Sequence, residues 1–304
     1  MNDDHLLDII GNTPMVRLNF PTKARVYAKL EYLNPGGSVK DRTALYMIEE
    51  AERSGKLKPG GTIIEASSGN QGIAAAMIGA ARGYKVIITV SEKISKEKKD
   101  TLKAYGAELV VCKPTMDLDD AESYHTKALE IHKSTPNSFM LNQYFNINNG
   151  KAHYYSTGPE VWNQTNGRVT HFIAATGSCG TIAGASKYLK ERNPDIKIIG
   201  VDTATSYHAT KGNPKPYKLE GLGIDFDAPL LAESIIDDFI YVTDDDAIAM
   251  LKTMARKHGY LIGVASGAVA YAVHEYVKNL PADAVVVTLF TDSGRAYLTK
   301  GFYD

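Results

Sequence analysis

Lys40 occupies the position in this chain that most strongly suggests chemistry. It follows the turn Asn34-Pro35-Gly36-Gly37 and opens a helical pattern that continues through Thr43-Ala44-Leu45-Tyr46-Met47-Ile48. A lysine there lies at the positive end of the helix dipole, and that field together with partial burial disfavours the ammonium form. A neutral amine can form an imine with an aldehyde and can move a proton on and off carbon. The alternative, an exposed Lys-Asp-Arg helix start, is the commoner occurrence for such a pattern alone.

A first glycine-rich loop, Ser67-Ser68-Gly69-Asn70-Gln71-Gly72, lies between a strand pattern at residues 62–65 and a helical run of small residues at 73–78. The free N–H groups of a first helical turn attract an anion. The serine, asparagine and glutamine side chains add hydrogen-bonding groups without net charge. The loop therefore predicts a site for a carboxylate or for a cofactor oxygen, and an ordinary strand-to-helix turn is the alternative.

A second loop, Gly177-Ser178-Cys179-Gly180-Thr181, follows a strand pattern at residues 171–176 and precedes a helix that runs to about Arg192. A phosphate fits such a helix start without a basic side chain. The loop is not a Walker loop, because no Gly-Lys-Ser/Thr follows the turn, and its glycine spacing is not that of the dinucleotide fingerprint. It predicts a phosphate cup.

A reactive lysine, a carboxylate cradle and a phosphate cradle together predict a pyridoxal-phosphate enzyme that acts on an amino acid. The chain resembles the cysteine synthase and cystathionine β-synthase family, whose members are fold-type II pyridoxal-phosphate enzymes. The resemblance covers about residues 6–304. Its motifs are Gly11-Asn12-Thr13-Pro14, the segment 34–42, the two glycine-rich loops and Glu220-Gly221-Leu222-Gly223, in the family's order. It implies pyridoxal 5'-phosphate as the cofactor.

The composition excludes several other classes of protein. The chain has 304 residues, 44% hydrophobic and 23% charged, which is enough for a substantial core in two lobes. A formal net charge of −1 does not predict binding to nucleic acid or to an anionic membrane. Cys112 and Cys179 form no CxxC pair and the histidines form no HxxxH pair, so neither a disulfide framework nor a metal is predicted. Without a signal-like N-terminus or an apolar run of membrane-spanning length, the expected location is the cytoplasm.

The alternation of β-branched runs with helical patterns predicts parallel sheets with helices on both faces. The resemblance adds an α/β fold of two lobes, each a mostly parallel sheet flanked by helices, as in the β subunit of tryptophan synthase. It implies a smaller lobe at residues 38–147 with the carboxylate loop, and a larger lobe at 8–37 plus 148–304 with the phosphate cup. Strands are predicted at 26–30, 62–65, 85–89, 108–111, 172–175, 197–201 and 285–289, and helices at 95–105, 117–132, 244–258 and 266–278.

The resemblance also implies roles for individual residues. Lys40 corresponds to the lysine that binds the cofactor as a Schiff base and exchanges the proton at the substrate Cα. Asn70 corresponds to the residue that hydrogen-bonds the cofactor's ring oxygen. Gly221 lies in the loop that faces bound intermediates. The cradle for the substrate α-carboxylate corresponds to Ser67, Ser68, Gly69, Gln71 and Gln143, and the phosphate cup to Gly177, Ser178, Cys179, Gly180 and Thr181.

Three positions depart from the family pattern. Gln71 stands where threonine is usual, and its greater length is expected to narrow the substrate space. Cys179 stands where glycine is usual, and because it carries a Cβ its φ is expected to be negative. Ala265 stands in place of the serine that meets the pyridine nitrogen, which is thought to stay unprotonated in this fold type. Either Ser266 or a water replaces that serine, or the correspondence is shifted by one residue.

The function implied is β-replacement on O-acetylserine or serine through an aminoacrylate, in which a sulfur nucleophile gives L-cysteine. Residues 157–162 resemble cysteine synthases, whereas 91–98 and 223–226 resemble cystathionine β-synthases. The first alternative is therefore condensation of serine or cysteine with homocysteine or another thiol, with release of water or hydrogen sulfide. A non-catalytic scaffold and a deaminating hydratase-type enzyme are the alternatives from other classes. A homodimer is expected, and a serine acetyltransferase tail is a candidate partner.

Overall fold

The computed structural model describes residues 6–115, 119–232 and 234–304, and these form ten strands and ten α-helices. The strands are β1 (Met15–Leu18), β2 (Arg25–Leu30), β3 (Thr62–Ala66), β4 (Lys85–Ser91), β5 (Glu108–Cys112), β6 (Ser138–Met140), β7 (His171–Ala175), β8 (Lys197–Thr203), β9 (Asp238–Val242) and β10 (Val285–Phe290). The helices are α1 (Lys40–Arg53), α2 (Asn70–Arg82), α3 (Lys96–Ala104), α4 (Tyr124–Ser134), α5 (Asn148–Tyr155), α6 (Thr157–Gln164), α7 (Gly180–Arg192), α8 (Pro229–Ala232), α9 (Asp244–His258) and α10 (Val264–Tyr276).

The strands form two sheets. A six-stranded sheet has the order β1-β2-β10-β7-β8-β9, and a four-stranded sheet has the order β5-β4-β3-β6. Every neighbouring pair is parallel except β1 with β2. Parallel strands covered on both faces are mostly apolar, and the inner strands β10 and β3 are buried at every position. The predicted α/β fold of mostly parallel sheets is therefore confirmed.

Seven strands were predicted, and each lies within two residues of its predicted limits. Short strands β1, β6 and β9 were missed, and all three lie at sheet edges. Helix α9 matches its prediction. Helix α4 begins at Tyr124 because the Ser123 hydroxyl accepts the N–H of Thr126 at 3.0 Å. The start predicted for that helix, residue 117, lies outside the described residues.

The larger core lies between the six-stranded sheet and helices α9 and α10. A second core lies between the four-stranded sheet and helices α1 and α2. Strand β2 pairs with β10, which places residues 25–30 in the same sheet as the last strand of the chain. An early segment that crosses into the C-terminal lobe was predicted, and the boundaries 38–147 and 8–37 plus 148–304 stay a prediction.

The two glycine-rich loops occupy equivalent places in the two sheets. Strand β3 ends at Ala66 and leads into α2, while β7 ends at Ala175 and leads into α7. Both strands lie inside their sheets, with a parallel neighbour on each side. Ligands of parallel α/β sheets bind beyond the carboxyl ends of the strands. The topology therefore places both loops where a ligand is expected.

Candidate active site

Lys40 and parts of both glycine-rich loops line one pocket. Lys40, Asn70, Gly177, Ser178, Cys179, Thr181, Gly221 and Ala265 line it among the predicted site residues, together with Val39, Ala174, Ala175, Glu220, Leu289, Thr291, Asp292 and Tyr297. The predicted carboxylate residues Ser67, Ser68, Gly69, Gln71 and Gln143 are not among the lining residues, and neither is Gly180. The pocket thus brings Lys40 to the second glycine-rich loop, and the residues predicted to bind the carboxylate lie outside this lining.

Lys40 is the first residue of α1, as predicted. Its backbone N–H is accepted by the Ser38 hydroxyl at 3.1 Å, and its Nζ donates to Ser178 Oγ at 3.0 Å. Burial lowers the pKa of the Lys40 amine from 10.5 to about 8, against smaller opposing effects of Cys179 and Glu65. The amine is therefore substantially neutral at mildly alkaline pH, which imine formation and proton transfer both require.

The phosphate cup is built around the start of α7. Ser178 Oγ accepts from Asn149 Nδ2 at 3.0 Å, and Thr181 Oγ1 lies 3.2 Å from Nε2 of the buried His153. A Cβ on Gly180 would lie 1.9 Å from Asn149 Oδ1, so this position excludes a side chain. The first helical turn has N–H groups without intrahelical partners, and hydroxyls surround it. These features fit a phosphate group.

Cys179 contradicts one expectation. Its φ is 62°, in the left-handed region, so the expected negative φ is wrong. The backbone keeps the geometry that glycine favours, and the thiol donates to the carbonyl of Gly177 at 3.2 Å. Burial, assisted by the carboxylate of Asp202, raises the pKa of the Cys179 thiol to about 12. A thiol that stays protonated is a poor nucleophile, so Cys179 forms part of the cup wall.

The loop predicted to bind the carboxylate is held at its start by its two serines. Ser67 Oγ accepts the N–H of Gly69 at 3.2 Å, and Ser68 Oγ accepts the N–H of Ser91 at 2.7 Å. Gln71 is 1% exposed, and neither atom of its amide has a hydrogen-bond partner among the described residues. A buried amide without partners is costly, so Gln71 is a candidate ligand-binding group.

Glu65 is a site residue that sequence reasoning missed. It is fully buried in β3, and its Oε2 accepts the N–H of Asn142 at 2.7 Å. It also accepts the N–H of Gln143, and burial raises its pKa to about 8. Glu65 therefore ties the turn that carries Gln143 to the strand that delivers the carboxylate loop. The available signal was a carboxylate within an otherwise apolar strand pattern.

Asp292 was also missed, and it orients Asn70. Asn70 Nδ2 donates to Asp292 Oδ2 at 2.7 Å, and the Tyr297 hydroxyl donates to the same oxygen at 2.5 Å. Asp292 is 2% exposed, and burial raises the pKa of its carboxyl group. One of the two amide hydrogens of Asn70 is thereby fixed, while the other stays available within the pocket.

The family model described as pyridoxal-phosphate dependent enzyme matches residues 6–292. The chain belongs to this family. It is 42% identical to a cysteine synthase of Staphylococcus aureus, over 99% of this chain and 97% of that protein. It is 41% identical to a cystathionine beta-synthase of Apis mellifera over 97% of this chain, and the chain spans 60% of the length of that protein. The solved structure of an O-acetylserine dependent cystathionine beta-synthase from Helicobacter pylori superposes with a TM-score of 0.91, at 36% identity over 98% of each chain.

Family membership makes pyridoxal 5'-phosphate the cofactor, and the pocket fits it. The cup of α7 excludes a side chain at Gly180 and offers hydroxyls and helix N–H groups for the phosphate group. Lys40 Nζ lies in the same pocket with a lowered pKa, as attachment to an aldehyde requires. Within the described ranges, no cluster of histidine, cysteine, aspartate and glutamate could hold a metal ion, and no helix is long and apolar enough to cross a membrane.

A charged network closes one side of this cofactor pocket. Glu220 forms ion pairs with Lys98 at 2.6 Å and with Lys300 at 2.8 Å. The Lys98 ammonium group also lies 4.3 Å from the centre of the Tyr297 ring. Helix α3, the loop at 220–223 and the C-terminal segment therefore meet at the pocket. The loop was recognised from its motif, but both lysines were missed because their partner is distant in sequence.

Ala265 lines the pocket as the family correspondence implied. Ser266 does not take its place, because Ser266 is fully buried and absent from the lining. Its hydroxyl accepts the N–H of Thr291 at 2.8 Å and lies 3.2 Å from the Thr291 hydroxyl. The side chain that lines the pocket from the start of α10 is therefore a methyl group.

Proposed function

We propose that the protein catalyses β-replacement on O-acetylserine or serine with a sulfur nucleophile, giving L-cysteine. The observation that carries this proposal is the Lys40 amine, which contacts Ser178 of the cup at 3.0 Å and has a pKa of about 8. The similarity to the cysteine synthase of Staphylococcus aureus supports the reaction type. Acetate leaves more easily than hydroxide, so O-acetylserine is proposed as the better donor.

Each predicted site residue has a separate role in binding or in proton transfer. Pyridoxal phosphate, when bound, supplies an electron sink for loss of the Cα proton. Lys40 would hold the cofactor through its amine and would accept and return the proton at the substrate Cα. Asn70 donates to the ring oxygen, and Gly221 faces the bound substrate. The phosphate group is held by Gly177, Ser178, Cys179, Gly180 and Thr181, and the substrate carboxylate by Ser67, Ser68, Gly69, Gln71 and Gln143.

A cystathionine β-synthase-type condensation is the second candidate. In it, serine or cysteine reacts with homocysteine or another thiol. The likeness to the Helicobacter pylori enzyme favours this candidate, because that protein is an O-acetylserine dependent cystathionine beta-synthase. The two reactions share the same donor half and differ in the thiol. Gln71 favours the smaller acceptor, sulfide, because homocysteine brings a second carboxylate and amine that must also be accommodated.

Lys40→Ala tests the assignment of the lysine. The variant should fold and lose both the visible band of the lysine-bound cofactor and turnover, by at least about 100-fold for a group that also transfers protons. Lys151→Ala, an exposed lysine on α5, is the matched control and should retain both. Retained steady-state turnover in the Lys40 variant would exclude this mechanism.

A substrate matrix tests the acceptor. O-acetylserine and serine are each combined with sulfide and homocysteine, and kcat/KM is measured from the mass of the product. O-acetylserine with sulfide should be the fastest combination. A faster reaction of serine with homocysteine would establish the second candidate, and ammonia release without any thiol would establish a deaminating enzyme.

We further propose a homodimer located in the cytoplasm, with a serine acetyltransferase tail as a candidate ligand of the cleft. An exposed aromatic surface supports association. Tyr155 is 63% exposed, stacks on Tyr46 at 5.9 Å between ring centres and contacts Tyr154 edge-on. Sedimentation of Tyr155→Lys against wild type tests the dimer, and an acetyltransferase C-terminal peptide titrated into the holoenzyme tests the tail.

A further inference from the structure

Thr291 places a hydroxyl group beside Ala265 in the cofactor pocket. It directly follows β10, and both residues line the pocket. The first turn of α10 packs on this segment, since the Thr291 N–H is accepted by Ser266 Oγ at 2.8 Å and the Gly263 N–H by the carbonyl of Asp292 at 2.9 Å. The Thr291 carbonyl accepts the N–H of Val39, the residue before Lys40, at 2.8 Å. Thr291 therefore stands between the start of α10 and the lysine segment.

The hydrogen-bond pattern leaves the Thr291 hydroxyl hydrogen available. Ser266 Oγ already accepts the backbone N–H of Thr291, and its own hydrogen can be donated to Thr291 Oγ1, which lies 3.2 Å away. A hydroxyl group has one donor and two acceptor positions. When Ser266 is the donor of this hydroxyl pair, the Thr291 hydroxyl hydrogen is free to point into the pocket. A donor in such a chain is also strengthened by polarisation.

The other polar side chains around this end of the pocket each have partners within the protein. Asn70 and Tyr297 both donate to Asp292 Oδ2. Asp292 Oδ1 lies 1.9 Å from the position that a Cβ on Gly263 would take, so this oxygen packs against the backbone of Gly263. Glu220 is paired with two lysines. Among the described lining residues near Ala265, Thr291 thus offers a hydroxyl donor, and the second amide hydrogen of Asn70 is the donor proposed for the ring oxygen.

We propose that the Thr291 hydroxyl donates a hydrogen bond to the pyridine nitrogen of the cofactor, in place of the serine that Ala265 replaces. The inference rests on the cofactor assignment of the proposed function. An unprotonated pyridine nitrogen is an acceptor, so a neutral hydroxyl donor is a matching partner. Ser266 is then a positioning residue, because it fixes the Thr291 backbone and orients the hydroxyl group.

Thr291→Val is the first test, because valine keeps the shape of threonine and removes the hydroxyl group. Apo-protein is titrated with pyridoxal phosphate, and the position and pH dependence of the absorption band are recorded. Loss of one neutral hydrogen bond should raise Kd by roughly 2- to 12-fold and shift the band. Thr291→Ser should restore wild-type values. Thr288→Val is the matched control, since its hydroxyl binds the Ile173 carbonyl at 2.7 Å, away from the pocket, and should leave Kd and the band unchanged.

Ala265→Ser gives a test that does not depend on the folding of the valine variant. In wild type the new hydroxyl finds its acceptor already bonded, so the gain in affinity should be under about 2-fold, whereas in Thr291→Val it should recover the lost affinity. Equal gains in both backgrounds, or a Thr291→Val variant with wild-type Kd and spectrum, would overturn the proposal. A wild-type protein that never forms the lysine-bound band would instead refute the proposed function.

Discussion

The two glycine-rich loops have the same construction, yet they differ in how complete they are without a ligand. Each joins the carboxyl end of a parallel strand to a helix, β7 to α7 and β3 to α2. In the phosphate cup the hydroxyl groups are already paired. Ser178 is bonded by Lys40 and Asn149, and Thr181 contacts His153.

In the carboxylate loop, by contrast, a buried amide has no partner. Gln71 is 1% exposed with both amide atoms unpaired among the described residues, which costs about 1–3 kcal/mol. That cost is offset when a ligand supplies the partners. The difference supports the proposal that the loop before α7 is preorganised for the cofactor phosphate, whereas the loop before α2 is completed by the substrate carboxylate.

Alanine at the glycines of the two loops should give the largest contrast. In Gly180→Ala the new Cβ lies 1.9 Å from Asn149 Oδ1, so the Asn149 side chain must move and release Ser178. The added methyl group overpacks the start of α7 at a cost of about 1–3 kcal/mol. If this cost falls on the cofactor-binding state, cofactor binding should weaken by about tenfold or more. In Gly69→Ala the nearest atom, Ser67 Oγ, is 3.9 Å away and φ is −124°, so the cup should be unaffected.

Cofactor titration of the two apo-variants, with circular dichroism to confirm folding, measures this contrast. Gly69→Ala should keep the wild-type Kd for pyridoxal phosphate and change KM for the amino acid donor. If both variants lose cofactor affinity to the same extent, the two loops are equally preorganised and the distinction between them fails.

Gln71→Met sharpens the second half of the comparison. Methionine has a similar length and carries no amide, so the unpaired buried groups disappear. The apo-protein should be as stable as wild type or more stable, because replacing an unpaired polar group by an apolar one of similar shape is nearly neutral or favourable. KM for O-acetylserine should rise by roughly tenfold, corresponding to one hydrogen bond to a charged carboxylate at about 1.5 kcal/mol.

Thermal unfolding of the apo-protein and steady-state kinetics test both parts of this prediction. Gln164→Met is a useful control, since the Gln164 amide is paired with Lys29 and with the Thr13 carbonyl and its loss should destabilise the fold. A lower thermal midpoint for Gln71→Met with unchanged KM would show that the Gln71 amide stabilises the fold and does not bind the donor substrate.

The pH dependence of cofactor capture tests Lys40, which lines the same pocket as residues of both loops. Because burial lowers its pKa to about 8, the neutral amine accumulates as pH rises through about 8, well below the value of 10.5 for a free lysine. The rate at which apo-protein forms the visible band should rise with that midpoint. The carboxylate of Glu65 raises the Lys40 pKa, so Glu65→Gln should move the midpoint to lower pH. A midpoint near 10 in stopped-flow absorbance would contradict the lowered pKa.

Local patterns predicted the parts of the fold that depend on neighbours in sequence. The strand before each loop follows from periodicity and was predicted within two residues, whereas the helical run predicted at 73–78 is the middle of the longer helix α2. Strand β1, of four residues, was missed because so short a segment shows no clear alternation and forms through pairing with β2.

Residues whose role depends on distant partners could not be predicted. Asp292 binds Asn70, which is 222 positions away, and Glu220 binds Lys98 across 122 positions. Neither pairing leaves a pattern in one sequence. Cys179 shows that a local rule can also mislead. The presence of a Cβ suggested a negative φ, whereas the turn before α7 holds this residue in the left-handed geometry.

Cys179→Gly should have the smallest effect, and it tests whether the cup depends on backbone geometry alone. A non-glycine residue in the left-handed region costs about 1–2 kcal/mol, which glycine removes. Two effects oppose this gain: glycine gives the unfolded chain more conformational entropy, which costs about 0.4–1 kcal/mol, and the packing of the thiol is lost. The net stabilisation should therefore be under about 1 kcal/mol. Cofactor affinity and kcat should stay at wild-type values, because a thiol with a pKa of about 12 supplies no nucleophile.

The control is Cys112→Gly, at the end of β5 and without positive φ, where the same change should destabilise the protein. Urea unfolding and cofactor titration measure both variants. A Cys179→Gly protein that binds cofactor normally but loses turnover would give the thiol a chemical role and end the view of the cup as a passive, preformed cradle.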